Sequence, residues 1–392
     1  MNYEEFKQEM QDRLSNDPQI GEKLGFKKVV KNNGLELDGI TLAGEGVKPV
    51  IYMQSLYHDY QDGSSLNKCV QNVLEILDRA QKNAREVDIG ELLDYGYLKD
   101  RLCLQAVATK GNEERLKDLV HLDKGDISLI VRAKVLGGLL GDGYMNLTEA
   151  VLKEIGVDKE TVLSDAMKTA PMCEPYRLQS MSEIMSEMTG LPPEMLGMAQ
   201  EDNVLYVLTN EQCLNGAAVM YYPKVMEEIK DKFPGKELAI IPSSVNEVLI
   251  VPVEKADLQM ENELKELIGE VNQNVVRPEE VLGTKPFLYD MVKNEIVPME
   301  DFIHEKEEIR EMIKRAGLRP TESVVNGIKE ARYHTGEKLT LKDIADLHRQ
   351  KDNPERKPLK PEAEAAVEKV AEQCKAQQLA QRAARTPDVP IQ

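Results

Sequence analysis

Tryptophan is absent from this 392-residue sequence, and only 5% of its residues are aromatic. Its five cysteines, Cys69, Cys103, Cys173, Cys213 and Cys374, are odd in number and far apart, and none belongs to a C-x-x-C pair. This pattern argues against a disulfide framework and against a zinc knuckle. A reducing, cytoplasmic compartment fits it best.

Long apolar runs are also missing. No window of the sequence approaches the roughly 18 apolar residues that a membrane-spanning helix needs. The opening residues, MNYEEF, contain no basic segment followed by an apolar one, so no secretion signal is indicated. We expect a soluble cytoplasmic protein that does not enter a membrane.

Positive charge is scarce over most of the chain. The formal net charge is −19. Residues 300–392 contain 18 acidic and 18 basic residues, so residues 1–299, with 51 acidic and 32 basic residues, carry the whole excess. Because nucleic-acid affinity comes largely from Lys and Arg that displace counterions, the acidic body is predicted not to bind nucleic acid or anionic membranes.

Two patterns that could indicate a cofactor or a metal fall short. The five histidines form no H-x-x-x-H pair, so the sequence predicts no metal site. Residues 137–143, GGLLGDG, invite a phosphate-loop interpretation, but no Gly-Lys-Ser/Thr follows and the glycine order does not match a dinucleotide fingerprint. A glycine-rich hairpin between Val135 and Tyr144 is predicted instead, and no cofactor is expected.

The first part of the chain alternates helical and strand patterns. Asn2 and Glu5 resemble a capping box before a helix lined by Tyr3, Phe6, Met10 and Leu14. Asn33-Gly34 predicts a two-residue hairpin turn, and the alternation after it changes phase at Gly39, as at a bulge. A strand at residues 50–52, a helix lined by Leu66, Val70, Val73 and Leu77, and two alternating strands near residues 102–107 and 127–135 follow.

The middle of the chain predicts an antiparallel sheet covered by helices. Apolar runs predict strands at residues 204–208, 217–222, 238–241 and 248–251. Amphipathic helices are predicted from Pro223 and over residues 258–271. The link between the third and fourth strands is short enough to reverse the chain directly, so these two strands are predicted to be antiparallel neighbours. The expected fold class is α+β, with two α+β lobes followed by a helical C-terminal extension.

Four segments are predicted from these patterns: an N-terminal α+β lobe (residues 1–110), a central α+β domain (111–290), a helical extension (291–350), and a charged linker with a solvated helix and tail (351–392). Thr340 and Asp343 predict a helix start that resembles the first helix of a helix-turn-helix, but no apolar recognition helix follows. The last helix has a thin apolar stripe at Val367, Val370 and Cys374, which can pair with another helix.

Seven methionines lie between residues 167 and 198. The main interpretation is that they fill an irregular core; the alternative is a soft groove that accepts varied partners.

A compact polar loop is the best candidate site. Ser243, Ser244, Asn246 and Glu247 lie between two buried strands, and Asn210 ends an earlier strand. A serine nucleophile needs a base and an oxyanion donor, yet no G-x-S-x-G elbow is present and the Asn246 side chain cannot take a proton. The polar groups are therefore predicted to close a turn by bonding its backbone, with a Ser-based hydrolase as the alternative.

Several segments carry a resemblance to a known family: residues 206–210 (YVLTN), 216–218 (GAA), 222–223 (YP), 241–248 (IPSSVNEV) and 32–39 (NNGLELDG). Over residues 3–288 the chain resembles the uncharacterised bacterial domain-of-unknown-function family 5688. Its members are common in gut anaerobes and are often encoded beside conjugative or phage-like elements. In that family the loop usually reads Ser-Ser-x-His-Glu, so Asn246 stands in the place of the histidine.

The resemblance implies the architecture but no known activity. The leading hypothesis is a non-enzymatic cytoplasmic binding or accessory protein of a bacterial mobile element, with a protein partner that the sequence does not identify. One alternative is a hydrolase that uses the loop of Ser243, Ser244, Asn246 and Glu247. Another is a DNA-associated regulator that acts through the C-terminal extension. The sequence leaves the oligomeric state open.

Overall fold

The computed structural model describes residues 1–18, 20–43, 50–83, 89–135, 143–192, 195, 205–351, 353 and 357–383. They divide into two compact units. The larger unit consists of Met1–Val225, Pro242–Leu249 and Gly269–Thr284, and the smaller unit of Met226–Ile241, Ile250–Ile268 and Lys285–Gln392. Antiparallel sheets and a helical C-terminal segment confirm the predicted α+β class.

The larger unit opens with a three-stranded sheet and its helices. The elements are α1 (Tyr3–Ser15), β1 (Leu24–Val30), β2 (Glu36–Leu42), β3 (Ile51–Tyr52), α2 (Met53–Gln61) and α3 (Leu66–Asn83), and the strand order is β1-β2-β3. The predicted capping box of Asn2 and Glu5 is confirmed. Phe6 and Met10 of α1 are fully buried in a cluster with Ile40 of β2 and Val73 of α3, so the helices cover the sheet.

The predicted hairpin between β1 and β2 is present, but its turn is longer than predicted. Val30 pairs with Glu36, and a 3-10 turn at Asn32–Gly34 lies between them. The predicted bulge at Gly39 is wrong, because the antiparallel register runs through this residue without interruption. A Cβ at Gly39 would lie 2.7 Å from Cγ1 of Val50. Glycine is therefore needed here because the Val50 side chain packs directly against the backbone of β2.

A second sheet and a further pair of strands complete the larger unit. The elements are α4 (Ile89–Leu92), α5 (Tyr95–Lys99), β4 (Leu102–Ala108), α6 (Glu113–Leu116), β5 (His121–Asp123), β6 (Ile127–Val135), β7 (Gly143–Asn146), α7 (Glu149–Ile155), α8 (Lys159–Cys173), β8 (Tyr176–Ser180), α9 (Met181–Thr189) and β9 (Tyr206–Asn210). Strand β6 pairs antiparallel with β4, β5 and β7, and β8 pairs antiparallel with β9.

The two sides of the predicted glycine-rich hairpin are paired, since Val135 lies opposite Gly143. Its connection, residues 136–142, falls outside the described residues. The strand predicted at residues 217–222 is wrong: Gly216–Tyr221 forms a buried 3-10 helix. Asn215 adopts φ 54° immediately before it, a left-handed conformation that turns the chain out of an extended path. The small residues Ala217 and Ala218 allow the tight turn to be buried.

Elements that lie wholly or mostly in the smaller unit are α10 (Val225–Lys232), β10 (Glu237–Ile241), β11 (Val248–Val253), α11 (Leu258–Asn274), β12 (Phe287–Asp290) and β13 (Glu295–Pro298). The strand order is β13-β12-β10-β11. Strands β10 and β11 are neighbours, as predicted, and six residues join them. A parallel pair would need a longer crossover, so the short link makes them antiparallel.

Four helices follow: α12 (Met299–Arg315), α13 (Glu322–Thr335), α14 (Leu341–Arg349) and α15 (Pro361–Ala383). They share an apolar cluster that includes Ile309, Ile328 and Ile344. None of the helices among the described residues is long and apolar enough to cross a membrane.

Buried charges accompany this core. The Lys329 side chain is 1% exposed, and its Nζ lies 2.7 Å from Oδ2 of Asp290, which is equally buried. Lys306 is buried too, and its Nζ lies 2.7 Å from carboxylate oxygens of both Glu237 and Glu322. Burying an ammonium group costs free energy unless an opposite charge lies beside it. The packing of α12 and α13 therefore depends on these carboxylates.

Helix α15 packs through the stripe identified in the sequence. Val367 and Val370 are buried in the cluster, and Cys374 packs against its edge. A Cβ added at Gly327 of α13 would lie 2.6 Å from Cγ2 of Val370. The missing side chain at Gly327 therefore sets how closely α13 and α15 approach.

We predict that Gly327→Ala destabilises the protein by about 1–3 kcal/mol, because the added methyl group overlaps a stiff, fully buried valine. Val370→Ala removes the overlapping atom, so the double variant should lose less stability than the sum of the two single losses. Urea denaturation of all four proteins, followed by circular dichroism, measures this coupling. Strict additivity would show that the two positions do not share the space.

Candidate functional site

Residues 242–247, which join β10 to β11, belong to the larger unit and place three candidate side chains together. The Ser243 hydroxyl donates to Oε1 of Glu247 at 3.1 Å, and the Ser244 hydroxyl donates to the same oxygen at 2.7 Å. The Asn246 amide N–H donates to Oγ of Ser244 at 3.0 Å. One carboxylate oxygen thus accepts hydrogen bonds from two hydroxyl groups, and the polar groups of the loop bond to one another.

The backbone of the loop is closed in the same way. The Ser244 amide N–H donates to the Glu247 carbonyl at 3.1 Å, and the Val245 amide N–H donates to the Glu280 carbonyl at 2.8 Å. Ser244 and Val245 are buried, whereas Ser243 and Glu247 are half-buried. The loop has little freedom to rearrange because both its side chains and its amides are engaged.

Asn246 joins this loop to the end of β9 and to the segment that follows it. Its backbone carbonyl accepts a hydrogen bond from the Thr209 hydroxyl at 2.6 Å, and its side-chain Oδ1 accepts one from the Asn215 amide N–H at 2.9 Å. Asn246 therefore acts as an acceptor through both its backbone and its side chain. A histidine at this position has no side-chain carbonyl oxygen, so it would have to accept the hydrogen bond from the Asn215 amide through a ring nitrogen.

Asn210, the last candidate, lies at the end of β9 and is 1% exposed. Its side chain donates to the Leu214 carbonyl at 2.9 Å and accepts from the Leu214 amide N–H at 3.1 Å. It thus closes the turn between β9 and the 3-10 helix. Asn210 lies near the loop, because a Cβ at Gly216 would approach both the Asn210 amide nitrogen and the Asn246 carbonyl, but its side-chain hydrogen bonds go to its own turn.

Sequence reasoning missed three residues of this junction: Thr209, Asn215 and Gly216. A Cβ at Gly216 would lie 2.3 Å from Oγ1 of Thr209 and 2.5 Å from the Asn210 amide nitrogen. Oδ1 of Asn215 also accepts a hydrogen bond from Gln105 of β4 at 2.8 Å. The Asn215-Gly216 dipeptide, a common turn signal, was the clue available in the sequence.

The chemistry open to the loop is limited. A carboxylate that accepts two serine hydroxyls has the placement of a general base, but the hydrogen bonds recorded for the loop include no histidine and no oxyanion donor. Among the residues that the structure describes, no group of three His, Cys, Asp or Glu side chains is placed to hold a metal ion.

Two cavities are lined by residues that do not belong to the loop. One, of about 560 Å³, is in the smaller unit and is lined by residues that include Glu308, Met312 and Arg332. The other, of about 220 Å³, is in the larger unit and is lined by residues that include Lys7, Lys27 and Asp38.

Comparison with known proteins identifies one family. A model described as a family of unknown function, DUF5688, matches residues 3–291. No curated protein and no solved structure matches the chain.

We predict that Gly216→Ala costs about 1–3 kcal/mol or more in the free energy of unfolding, because the methyl group overlaps backbone atoms that cannot rotate away. Gly269→Ala in α11 is the matched control: a Cβ there meets nothing within 4 Å, and alanine favours a helix. Urea midpoints of the two variants should move in opposite directions. Equal midpoints would show that the junction tolerates a side chain.

Proposed function

We propose, from the premise that the chain belongs to DUF5688, a family of unknown function, that it is a non-enzymatic protein that binds another protein through a methionine-lined face of α9. The family resemblance seen in the sequence supports an accessory role beside bacterial mobile elements. The closed hydrogen bonding of the serine loop supports the non-enzymatic part of the proposal, because the hydroxyl groups there already have partners.

The observation that carries the proposal is the methionine face, which we define as Met181, Met185 and Met188. These residues lie at positions i, i+4 and i+7 of α9, so they share one side of the helix. Met185 is 37% exposed and Met188 is 81% exposed. Exposed methionine side chains are flexible and polarisable, and they suit surfaces that adapt to a partner.

The exposure also revises an expectation. The main interpretation of the seven methionines between residues 167 and 198 was that they fill an irregular core, and this is wrong for Met172, Met185, Met188 and Met195, which are all exposed. The alternative prediction of an adaptable surface fits these four.

The surroundings of the methionine face indicate the kind of partner. Glu187 of α9 is held by Arg177 at 2.9 Å and by Gln179 at 2.8 Å, which gives the face a fixed polar edge. Residues 1–299 carry the whole net charge of −19. A helix with an apolar stripe bordered by Lys or Arg complements both features, and we propose such a helix as the occupant.

The experiment is site-specific photo-crosslinking from position 188 in the native host, followed by affinity measurement with the purified partner. We predict that the double variant Met185→Glu/Met188→Glu weakens binding at least about tenfold, because an unpaired carboxylate in an apolar interface costs more than about 1.4 kcal/mol. Met291→Glu places the same charge on another methionine that is 61% exposed, and should leave affinity unchanged. Equal binding by both variants would exclude this face.

A hydrolase is the second candidate, and the placement of the Glu247 carboxylate 2.7 Å from the Ser244 hydroxyl, where a general base would lie, favours it. It predicts turnover of an ester, phosphate or peptide substrate that is lost in both Ser244→Ala and Glu247→Gln. We expect no turnover by the purified protein above that of Ser244→Ala. Turnover that increased in Asn246→His would instead support an acid–base site, because an imidazole would then stand beside the serines.

A further inference from the structure

Two cysteine thiols lie together in the larger unit, away from the loop and the methionine face. Cys103, on β4, is completely buried, and Cys173, the last residue of α8, is half-buried. The Cys103 thiol donates to the Arg101 carbonyl at 3.5 Å, and the Cys173 thiol donates to the Asp100 carbonyl at 3.3 Å. Both thiols thus bond to the same short stretch of backbone, residues 100–101, in the region where α8 packs against β4.

The two thiols also influence each other's acidity, since either one can donate a hydrogen bond to the other's sulfur once that sulfur has ionised. This bond from Cys103 lowers the pKa of Cys173 to about 7; burial and Glu174 act in the opposite direction, and Lys134 and Arg101 add to the lowering. The same bond, together with burial, raises the pKa of Cys103. Cys173 is therefore the thiol of the pair that ionises more readily, and Cys103 keeps its proton.

A buried polar cluster fixes the surroundings of the pair. Glu174 follows Cys173 directly, is 1% exposed, and accepts from Nη2 of Arg132 at 2.9 Å and from the Tyr144 hydroxyl at 2.7 Å. The Arg132 guanidinium stacks over the Tyr144 ring at 3.8 Å. With its charge paired, Glu174 holds the end of α8 against the β4–β6–β7 sheet.

We propose that Cys103 and Cys173 form a reversible oxidation site, in which a hydroperoxide oxidises Cys173 and Cys103 then closes an intramolecular disulfide. The site is independent of the proposed protein-binding face. It joins β4 to the end of α8, two elements that are far apart in sequence.

The reaction balances with one hydroperoxide. The Cys173 thiolate attacks a peroxide oxygen, the O–O bond breaks, and the sulfur is oxidised to a sulfenic acid while the alkoxide takes a proton and leaves as an alcohol. The Cys103 sulfur then attacks the sulfenic sulfur, so an S–S bond forms and the S–O bond breaks. The hydroxide leaves with the Cys103 proton as water.

Three features favour this pair over the other cysteines. Reactivity follows thiolate character and access, and half-buried Cys173 has both, whereas Cys69 is fully buried. Burial raises the pKa of Cys374. Disulfide formation needs a sulfur–sulfur distance of about 2.05 Å, and Cys103 and Cys173 are the two cysteines that bond to adjacent backbone carbonyls where α8 packs on β4.

The test is oxidation of the full-length protein with one equivalent of hydrogen peroxide, followed by peptide mapping by mass spectrometry without reduction. We expect one dominant linked peptide that joins Cys103 to Cys173, with the loss of two hydrogen atoms, and its disappearance after dithiothreitol. In Cys103→Ala, dimedone should trap the sulfenic acid on Cys173. In Cys173→Ala, Cys103 should stay unmodified.

Cys213→Ser is the control, because Cys213 is exposed and its removal should not change the yield of the linked peptide. If Cys103→Ala fails to fold, the rate of monobromobimane labelling in the wild type decides the matter: Cys173 should react faster than Cys69 and Cys374. Dominant oxidation of Cys213, with Cys103 and Cys173 left as free thiols, would overturn the proposal.

Discussion

The middle of the larger unit depends on hydrogen bonds that tie residues 209–216 to residues 242–247 around a space that holds no side chain. Asn246 accepts bonds from Thr209 and Asn215 at 2.6 and 2.9 Å, and Gly216 lies between these segments. Each of these groups is buried or half-buried, so leaving one unpaired would cost free energy. This requirement accounts for Asn, Thr and Gly here without any reference to catalysis.

The smaller unit buries charged side chains in ion pairs. Its helices bury Lys306, Arg310 and Lys329, and each is paired with carboxylates on neighbouring elements. Such pairs contribute little net stability, but removing one partner leaves a buried charge. They therefore select the one arrangement of α12 and α13 in which every pair is made. Although these helices are rich in polar residues, they pack around an apolar core and are not fully exposed to solvent.

The local features were predictable from the sequence. Asn2 with Glu5 and Thr340 with Asp343 were identified as helix starts, and both pairs cap helices. Alternation identified β4 and β6, and continuous apolar runs identified β10 and β11. These succeeded because caps and periodicity act over one or two turns of chain, where the residues that interact are close in sequence.

The strand wrongly predicted at residues 217–222 shows what a local pattern misses. The run at 217–222 looked like a strand, but Asn215, Thr209 and the 242–247 loop impose a 3-10 helix. The sequence by itself determined the α+β class, the caps, the antiparallel pair β10–β11 and the stripe of α15. Only tertiary structure decided which carboxylate pairs with Lys329, which space Gly216 must leave empty and that Cys103 meets Cys173. Such contacts join residues that are distant along the chain, and no local pattern encodes their approach.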